Sequence, residues 1–534
     1  FLMIRRPPRS TQGLSSAASD VYKRQGDRNA FFGAQAGENT TGEDNTAVGS
    51  ESLRSNQTGS FNTAIGKSAL RTCTSSSNTA LGYKAGDAWS NGSAVNNVFI
   101  GALCADAITG GSYNVIIGEG AMCGSTASNV HSNVVVGKGA ARLCTSAGNI
   151  VLGREAAYDM TGGGNNVIIG REACSNLTNA SQGVYIGYQV ASTNALTASH
   201  NVMIGDRCCK NIEATTSSVV AIGYNALENH DGYSSTYGGY NVAIGSAAMQ
   251  DNRNTRHSVC VGNNAANQWN PAAGNVHEGG CVVIGGTAGS DGMTTATAAV
   301  VIGRNAYASG NNKTGANNIA IGTRAMEQST TCQHNVCMGT FAGYRITSGD
   351  NNVMIGYLTG YGYDTTNATQ TGSQNTYIGG YAHSSANNTT YEQVLGYGGT
   401  GKGSNTTFIR GSSGCYQENN SSSWSTTSDI RIKKNVVDNN VGLDVIENVR
   451  VRNFEYRTKE EITDFDNPES VMCDKTGTQL GVIAQEIQEV LPDVVELQTT
   501  GAYTVNPDNM TWYLVNAVKE LSAEVKALKA QLNS

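Results

Sequence analysis

NVIIGREA, from Asn166 to Ala173, fixes the fold class of this chain, because the same order of residue types returns along most of its length. Asn comes first, then two small or β-branched residues, an aliphatic residue, Gly, two variable residues and usually Ala. Other copies are NTAIGKSA from Asn62, NVIIGEGA from Asn114, NVAIGSAA from Asn241 and NIAIGTRA from Asn318. The motif glycine occurs 21 times between Gly33 and Gly396, at a mean step of about 18 residues. A strand of about four residues is too short to stand alone, and a following Gly marks a turn needing positive φ or close backbone approach. Stacking is therefore obligatory. The repeat predicts coils of 16 to 19 residues with two short strands each, burying Val, Ile and Ala in a narrow core and pairing backbone groups between coils. At about 4.8 Å per rung, such a shaft would be on the order of 100 Å long.

Steps lengthen before Gly245, Gly285 and Gly379. The extra residues are expected to leave the stack as surface loops and to be the candidate contacts for a receptor. The repeat is similar to the head repeats of trimeric autotransporter adhesins, in which N-x-A-I-G-x-x-A/S units form a left-handed parallel β-roll wound by three chains. That resemblance implies a related trimeric coil for residues 26–400, although the steps here are longer.

Composition agrees with a repetitive fold. Gly is 65 of 534 residues, charged residues are 14% and aromatics 7%, an unusual balance for a compact globular enzyme. A carbohydrate-cleaving groove in the shaft would need paired carboxylates about 5 to 9 Å apart. Residues 26–427 hold only 42 charges in 402 positions, and Asp206, Glu155 and Glu172 follow motif glycines on different coils as ordinary exposed turn residues. The seven histidines show no ligand spacing and are expected at the surface, and the 13 cysteines, without paired metal spacing, are expected as buried reduced thiols. No cofactor or metal is expected.

The first 25 residues carry five basic side chains against one acid and fit nothing that follows. They resemble translated sequencing-adapter read-through, so residues 1–25 are set aside as non-native, with the true amino terminus expected to be missing. Without them the net charge falls from −7 to −11, which disfavours nucleic acid as a partner. No run of 18 apolar residues occurs, so no membrane span is expected.

At Ser428 the composition changes. Charged residues number 29 in the last 107, against 42 in the preceding 402. Residues 401–427, which include the polar run ENNSSSWSTT, read as a linker. Four blocks then follow in order: SDIRIKKNV from Ser428, GLDVIENVRVRNFEY from Gly442, LGVIAQEIQEVLPDVV from Leu480 and YLVNAVKELSAEVKAL from Tyr513. In this order they resemble the intramolecular chaperone auto-processing domain that ends endosialidase tailspikes and several phage fibres, and that lies within myelin regulatory factor. The resemblance implies that residues 428–534 form a small α+β domain that trimerises and guides folding of the fibre before it. The chain is then cut between Thr427 and Ser428. It further implies a homotrimeric tail fibre or spike of a virus particle, assembled in the host cytoplasm and binding a host-surface glycan or protein. A cell-surface adhesin, an uncleaved fibre and a glycan-degrading tailspike are the alternatives.

The chemistry of cleavage can be weighed on the residues. A serine hydroxyl needs a base, histidine is the usual one, and no histidine follows His383. Lysine remains. Lys433 lies five residues after Ser428, the spacing of the family's Ser-Lys dyad, whereas Lys434 would point elsewhere in an extended segment. A lysine serves as base at neutral pH when desolvation lowers its pKa by about 3 units, so burial on trimerisation would couple cleavage to assembly. Asp429 and Arg431 are expected to orient or support the site, and Gln485 and Glu486 to make helix-packing or interchain contacts. Near the end, Leu514, Val518, Leu521, Val525, Leu528 and Leu532 step by 4, 3, 4, 3 and 4, the seam of a short coiled coil over about 510–534.

Overall fold

The computed structural model describes residues 26–230, 239–252, 255–268, 280–290, 298–308, 314–361, 370–411, 428–473 and 475–533. Residues 1–25, most of the long insertions before Gly245, Gly285 and Gly379, and the stretch 412–427 lie outside them. The chain divides into two compact units, one running to Thr330 and one starting at Thr331.

Both units contain the repeat as a parallel β-solenoid. In the first, three-residue strands run from Ala30–Phe32 to Ile319–Ile321, one per coil, each in parallel register with its neighbours. Val167, Ile168 and Ile169, for example, face Ile150, Val151 and Leu152 on one side and Val184, Tyr185 and Ile186 on the other. In the second unit the same ladder runs from Val336–Met338 to Thr407–Ile409. The middle residue of the strand points into the coil and is buried, as at Ile116, Val135, Val151 and Ile168, while its two flanking residues face outward. The alternation is that of any strand, so three residues suffice to define an inside and an outside.

The motif asparagine is buried and runs a hydrogen-bond ladder up the stack. Asn114 Oδ1 accepts the backbone N–H of Asn133 at 3.0 Å, Asn133 Oδ1 accepts that of Asn149 at 2.8 Å, and Asn149 Oδ1 that of Asn166 at 3.0 Å. The amide nitrogens donate to carbonyls at the coil corner, Asn114 to Val130 at 2.7 Å and Asn166 to Ala180 at 2.9 Å. Only a short side chain with both a donor and an acceptor can satisfy both backbone groups inside the coil. The motif glycine forms a second ladder. Gly101 has φ +133°, and a Cβ placed on it would lie 2.6 Å from the Gly118 carbonyl oxygen. Both the dihedral and the space exclude a side chain.

The two strands expected per coil reduce to one. Opposite the strand, the second and fourth residues after the motif glycine are left-handed even when they are not glycine: Glu155 (φ 55°) and Ala157 (φ 50°), Glu172 (φ 55°) and Cys174 (φ 48°). Backbone bonds still join the coils there, Ala141 N–H to Ala156 C=O at 2.8 Å and Ala157 N–H to Ala173 C=O at 2.8 Å. Alternation of left-handed residues with ordinary ones keeps this side pinned to its neighbours without strand geometry. Among the described histidines His131, His200, His257 and His334 are exposed or half-exposed as expected, and two are a correction. His230 and His383 are buried, His230 Nδ1 lying 3.0 Å from the Asn252 carbonyl and His383 Nε2 3.3 Å from Thr400 Oγ1. Neighbouring coils supply these partners, 22 and 17 residues away, which local spacing does not register. The cysteines are buried apart from half-buried Cys123 and Cys473 among the described residues, and burial pushes the Cys104 thiol up to about 12.

After the solenoid the second unit becomes α+β. Helices α1 (Leu443–Ile446), α2 (Pro468–Val471), α3 (Ala484–Val490) and α4 (Pro507–Leu532) are joined by two small antiparallel pairs, Arg452–Phe454 with Gln479–Gly481 and Val495–Leu497 with Tyr503–Val505. Ile487, Leu491 and Val494 form its small core, packed by Val445, Val482, Val505, Met510 and Tyr513. Asn506 caps α4 by accepting from Asp508 and Asn509 N–H, and Pro507 sits at its first position, where a missing N–H costs nothing.

Candidate functional site

The candidate site is built on a single tight turn. Ile430–Ile432 is one turn of 3-10 helix, capped by Asp429, whose side chain accepts the Arg431 N–H at 2.8 Å. The same carboxylate pairs with the Arg431 guanidinium at 2.6 Å, which holds its pKa below the usual aspartate range. Lys433 ends the turn. Five residues of extended chain would separate Ser428 from Lys433 by about 16 Å. The turn instead brings Lys433 Nζ to 2.6 Å from Ser428 Oγ. The expected dyad is thus in contact, through a turn rather than an extended segment. Asp429 and Arg431 shape that turn.

Both members are exposed, and so are Ile430 and Ile432 between them. In this arrangement Lys433 Nζ donates to the serine oxygen. Base chemistry requires the reverse, a neutral amine accepting the hydroxyl proton. Thr427, the other side of the expected scissile bond, lies outside the described residues.

Gln485 is exposed on α3. Its neighbour Glu486 pairs with Arg452 at 2.7 and 3.1 Å, tying α3 to the strand Arg452–Phe454, and Arg452 holds the Glu486 carboxyl below its usual range. Sequence reasoning does not single out Arg452, nor the clasp that holds the start of the domain to α4. Asn516 Nδ2 donates to the Asn439 and Val441 carbonyls at 2.7 and 3.2 Å, and Leu443 N–H donates to Glu520 at 2.8 Å. These partners are 75 to 77 residues apart, beyond the reach of any local motif. Beside the clasp, Asn439, Asp493, Trp512 and Tyr513 line a cavity in which Tyr513 OH donates to Asp493 at 2.6 Å.

The shaft carboxylates weighed for glycan cleavage are paired with guanidinium groups. Asp206 meets Arg207 at 3.4 Å, Glu172 meets Arg154 at 3.3 Å and Arg171 at 3.8 Å, and Glu155 meets Arg154 at 3.8 Å. Among the described residues no group of three or more His, Cys, Asp or Glu is placed to hold a metal ion, and no helix is long and apolar enough to cross a membrane.

A comparison with curated proteins finds no match to this chain. Residues 428–496 do match a protein family, the one described as chaperone of endosialidase, which places a domain similar to that chaperone after the solenoid and starts it at the serine of the Ser428–Lys433 pair.

Proposed function

We propose that the chain is a trimeric fibre or spike for attachment to a host surface, whose C-terminal domain drives trimerisation and folding and then releases itself by one self-cleavage between Thr427 and Ser428. The observation that carries this is the 2.6 Å contact of Lys433 with Ser428 at the first residue of the chaperone match. The Ser428 hydroxyl attacks the Thr427 carbonyl carbon while Lys433, as the free amine, takes its proton. Collapse breaks the peptide C–N bond, the proton passes to the departing Ser428 nitrogen, and an ester joins Thr427 to Ser428 Oγ. Water then attacks the ester, giving a proton to Lys433, which passes it to Oγ as the ester C–O bond breaks, and a Thr427 carboxylic acid, which ionises, and a Ser428 amine result. Holding nucleophile and carbonyl in one chain supplies about 7 to 11 kcal/mol of such a barrier. Asp429 and Arg431 act by fixing the turn.

Two apolar surfaces, one exposed on α4 and one half-buried on the solenoid, support trimerisation, with further copies of this chain as their occupant. Along α4 the seam residues Leu514, Val518, Leu521, Val525, Leu528 and Leu532 are all exposed, Val518 at 66% and Leu528 at 57%. Covering the half-exposed seam would contribute on the order of 5 to 9 kcal/mol per chain before ordering costs. On the solenoid, the outward strand residues form two apolar columns, Val167, Val184 and Val202 beside Ile169, Ile186 and Ile204, in a sheet with no helix over it among the described residues. A second copy brought over the Ser428–Lys433 turn would also desolvate the lysine, linking cleavage to assembly. Virus-particle location and receptor binding follow the endosialidase-chaperone likeness. The receptor loops proposed before Gly245, Gly285 and Gly379 lie largely outside the described residues.

Intact-mass and light-scattering measurements on the purified protein, beside Ser428→Ala and Lys433→Ala, test this. The expected result is a trimer with a fragment beginning at Ser428 in the parent and an uncut chain in both variants. A parent that is trimeric and whole removes the cleavage step, and a monomer removes the fibre.

A further inference from the structure

The next-to-last coil of the solenoid departs from the repeat at the asparagine position. Where the Asn ladder calls for asparagine, YEQVLG carries Glu392, and its N–H still bonds to Asn375 Oδ1 at 2.9 Å. The Glu392 side chain is fully buried. Its carboxylate accepts four hydrogen bonds: from Tyr377 OH at 3.1 Å, Ser385 N–H at 3.1 Å, Ser385 Oγ at 2.7 Å and Gly403 N–H at 2.8 Å. None of these donors is cationic. Such a group persists inside a protein only when its acceptor sites are filled, so the four donors are held where they are by the cost of leaving the carboxylate unmet. Burial, and then the Glu392 charge, push the Tyr377 phenol upward, which keeps its proton in place as a donor. A Cβ on Gly401 would collide with the Glu392 carboxylate, so the chain wraps it at van der Waals distance.

Two of the three residues that the Glu392 carboxylate bonds, Ser385 and Gly403, lie where the C-terminal domain touches the end of the solenoid. Ser385 C=O accepts from Asn467 Nδ2 at 3.1 Å. Next to Gly403, Ser404 N–H donates to Thr499 Oγ1 at 3.0 Å, and a Cβ on Gly403 itself would collide with that hydroxyl. Lys402 Nζ reaches the Ser470 and Met472 carbonyls at 3.2 and 3.3 Å, at the C-terminal end of α2, where a cation complements the free carbonyls. The sites on the domain come from two segments well apart in sequence, 467–472 and 499.

We infer that residues 385 and 402–404 form the docking surface by which the solenoid end receives the C-terminal domain, with Glu392 as the positioning residue that shapes it. The surface exists only when three coil segments, 377, 385 and 403, have closed around one carboxylate. The domain therefore engages a finished last coil and not an open one. This rests on the proposed chaperone role and deepens it by naming what the chaperone recognises, and the docking part is measurable without cleavage.

The experiment uses the full chain carrying Ser428→Ala, so that release plays no part, and reads amide hydrogen exchange by mass spectrometry in Glu392→Gln and, separately, Lys402→Ala. The Glu392→Gln side chain presents an N–H₂ to backbone and hydroxyl donors and leaves at least one without an acceptor. Exchange in peptides covering 467–473 and 498–503 should rise at least about tenfold in both variants, while the strand Val353–Ile355 and α3 keep their protection. Unchanged exchange in those peptides overturns the docking surface. Acceleration shared equally by Val353–Ile355 and α3 overturns it too, because Glu392 would then support the whole unit and no particular surface. The same variants with Ser428 restored should yield the Ser428 fragment at least about fivefold more slowly than the parent. A parent that never cleaves defeats the self-cleavage reading and leaves the exchange result standing.

Discussion

Asn114→Ala is the sharpest probe of the solenoid. Asn114 Oδ1 accepts the N–H of Asn133 at 3.0 Å, and Nδ2 donates to the Val130 carbonyl at 2.7 Å and to Asn97 Oδ1 at 2.9 Å. Truncation leaves the Asn133 N–H and the Val130 C=O inside the coil without these partners, whereas Asn97 Oδ1 keeps the Asn114 backbone N–H at 3.0 Å. Each orphaned group costs about 1 to 3 kcal/mol, so the coil should lose about 2 to 6 kcal/mol. Because each coil contacts only its neighbours, the loss appears as local opening more than as a shift of one global transition. Hydrogen exchange over residues 114–136 should therefore accelerate at least about 30-fold, taking 1.4 kcal/mol per tenfold, with peptides several coils away unaffected. Asn176→Ala is the control. Its exposed Nδ2 bonds the Thr193 carbonyl at 2.8 Å, water replaces it, and a change within about 0.5 kcal/mol is expected. Equal exchange in the two variants would refute the ladder as a source of stability.

Three further outcomes are expected. Gly170→Ala places a Cβ against the Gly187 carbonyl at φ +137°, and should disorder the coils around it, seen as new proteolytic cleavage near residue 170; a fully resistant protein would contradict the glycine ladder. Asp429 should titrate below the ordinary aspartate range in NMR of the uncut Ser428→Ala chain. Its depressed value means the Arg431 pair contributes above pH about 4 and is lost as pH falls through the folded value, so Arg431→Ala should move the midpoint up, and an unmoved midpoint would separate the two residues. Leu521→Asp, at the exposed α4 seam, should convert a trimer to monomer in sedimentation at micromolar concentration, while Glu524→Ala leaves it trimeric; a Leu521→Asp trimer would take the seam out of assembly.

The parts of the fold that can be read in advance are those that repeat for a steric or hydrogen-bonding reason. Asn and Gly recur because most coils use a buried donor-acceptor side chain, and the motif turn makes a backbone contact with no room for a Cβ. The strand centre varies freely, since neighbours compensate: Tyr185 fits because Gly183 stands where asparagine would, and a Cβ there would collide with the tyrosine ring. The left-handed Glu172 and Cys174 carry no residue-type signal, which is why the repeat alone suggests a second strand in their place. At the site, Ser428 and Lys433 are legible from type and spacing. The turn that joins them is not, because it depends on an Asp429 cap within a segment whose β-branched residues favour extension. Arg452 with Glu486, and Asn516 with Asn439, need the tertiary fold.

The glycine ladder also bears on how such a chain can change length. Along the described glycine ladder each coil presents its neighbour with the same carbonyl and receives the same vacant space, so this contact does not depend on which coil follows. Excision of residues 154–170 would set Gly187 above Gly153 in the place Gly170 now holds, and the outward Val and Ile columns would close up without a break in register. Reach is thereby a count of interchangeable units, open to duplication or loss by recombination between near-identical segments, while the end-specific chemistry of Glu392 and Ser428 stays where it is.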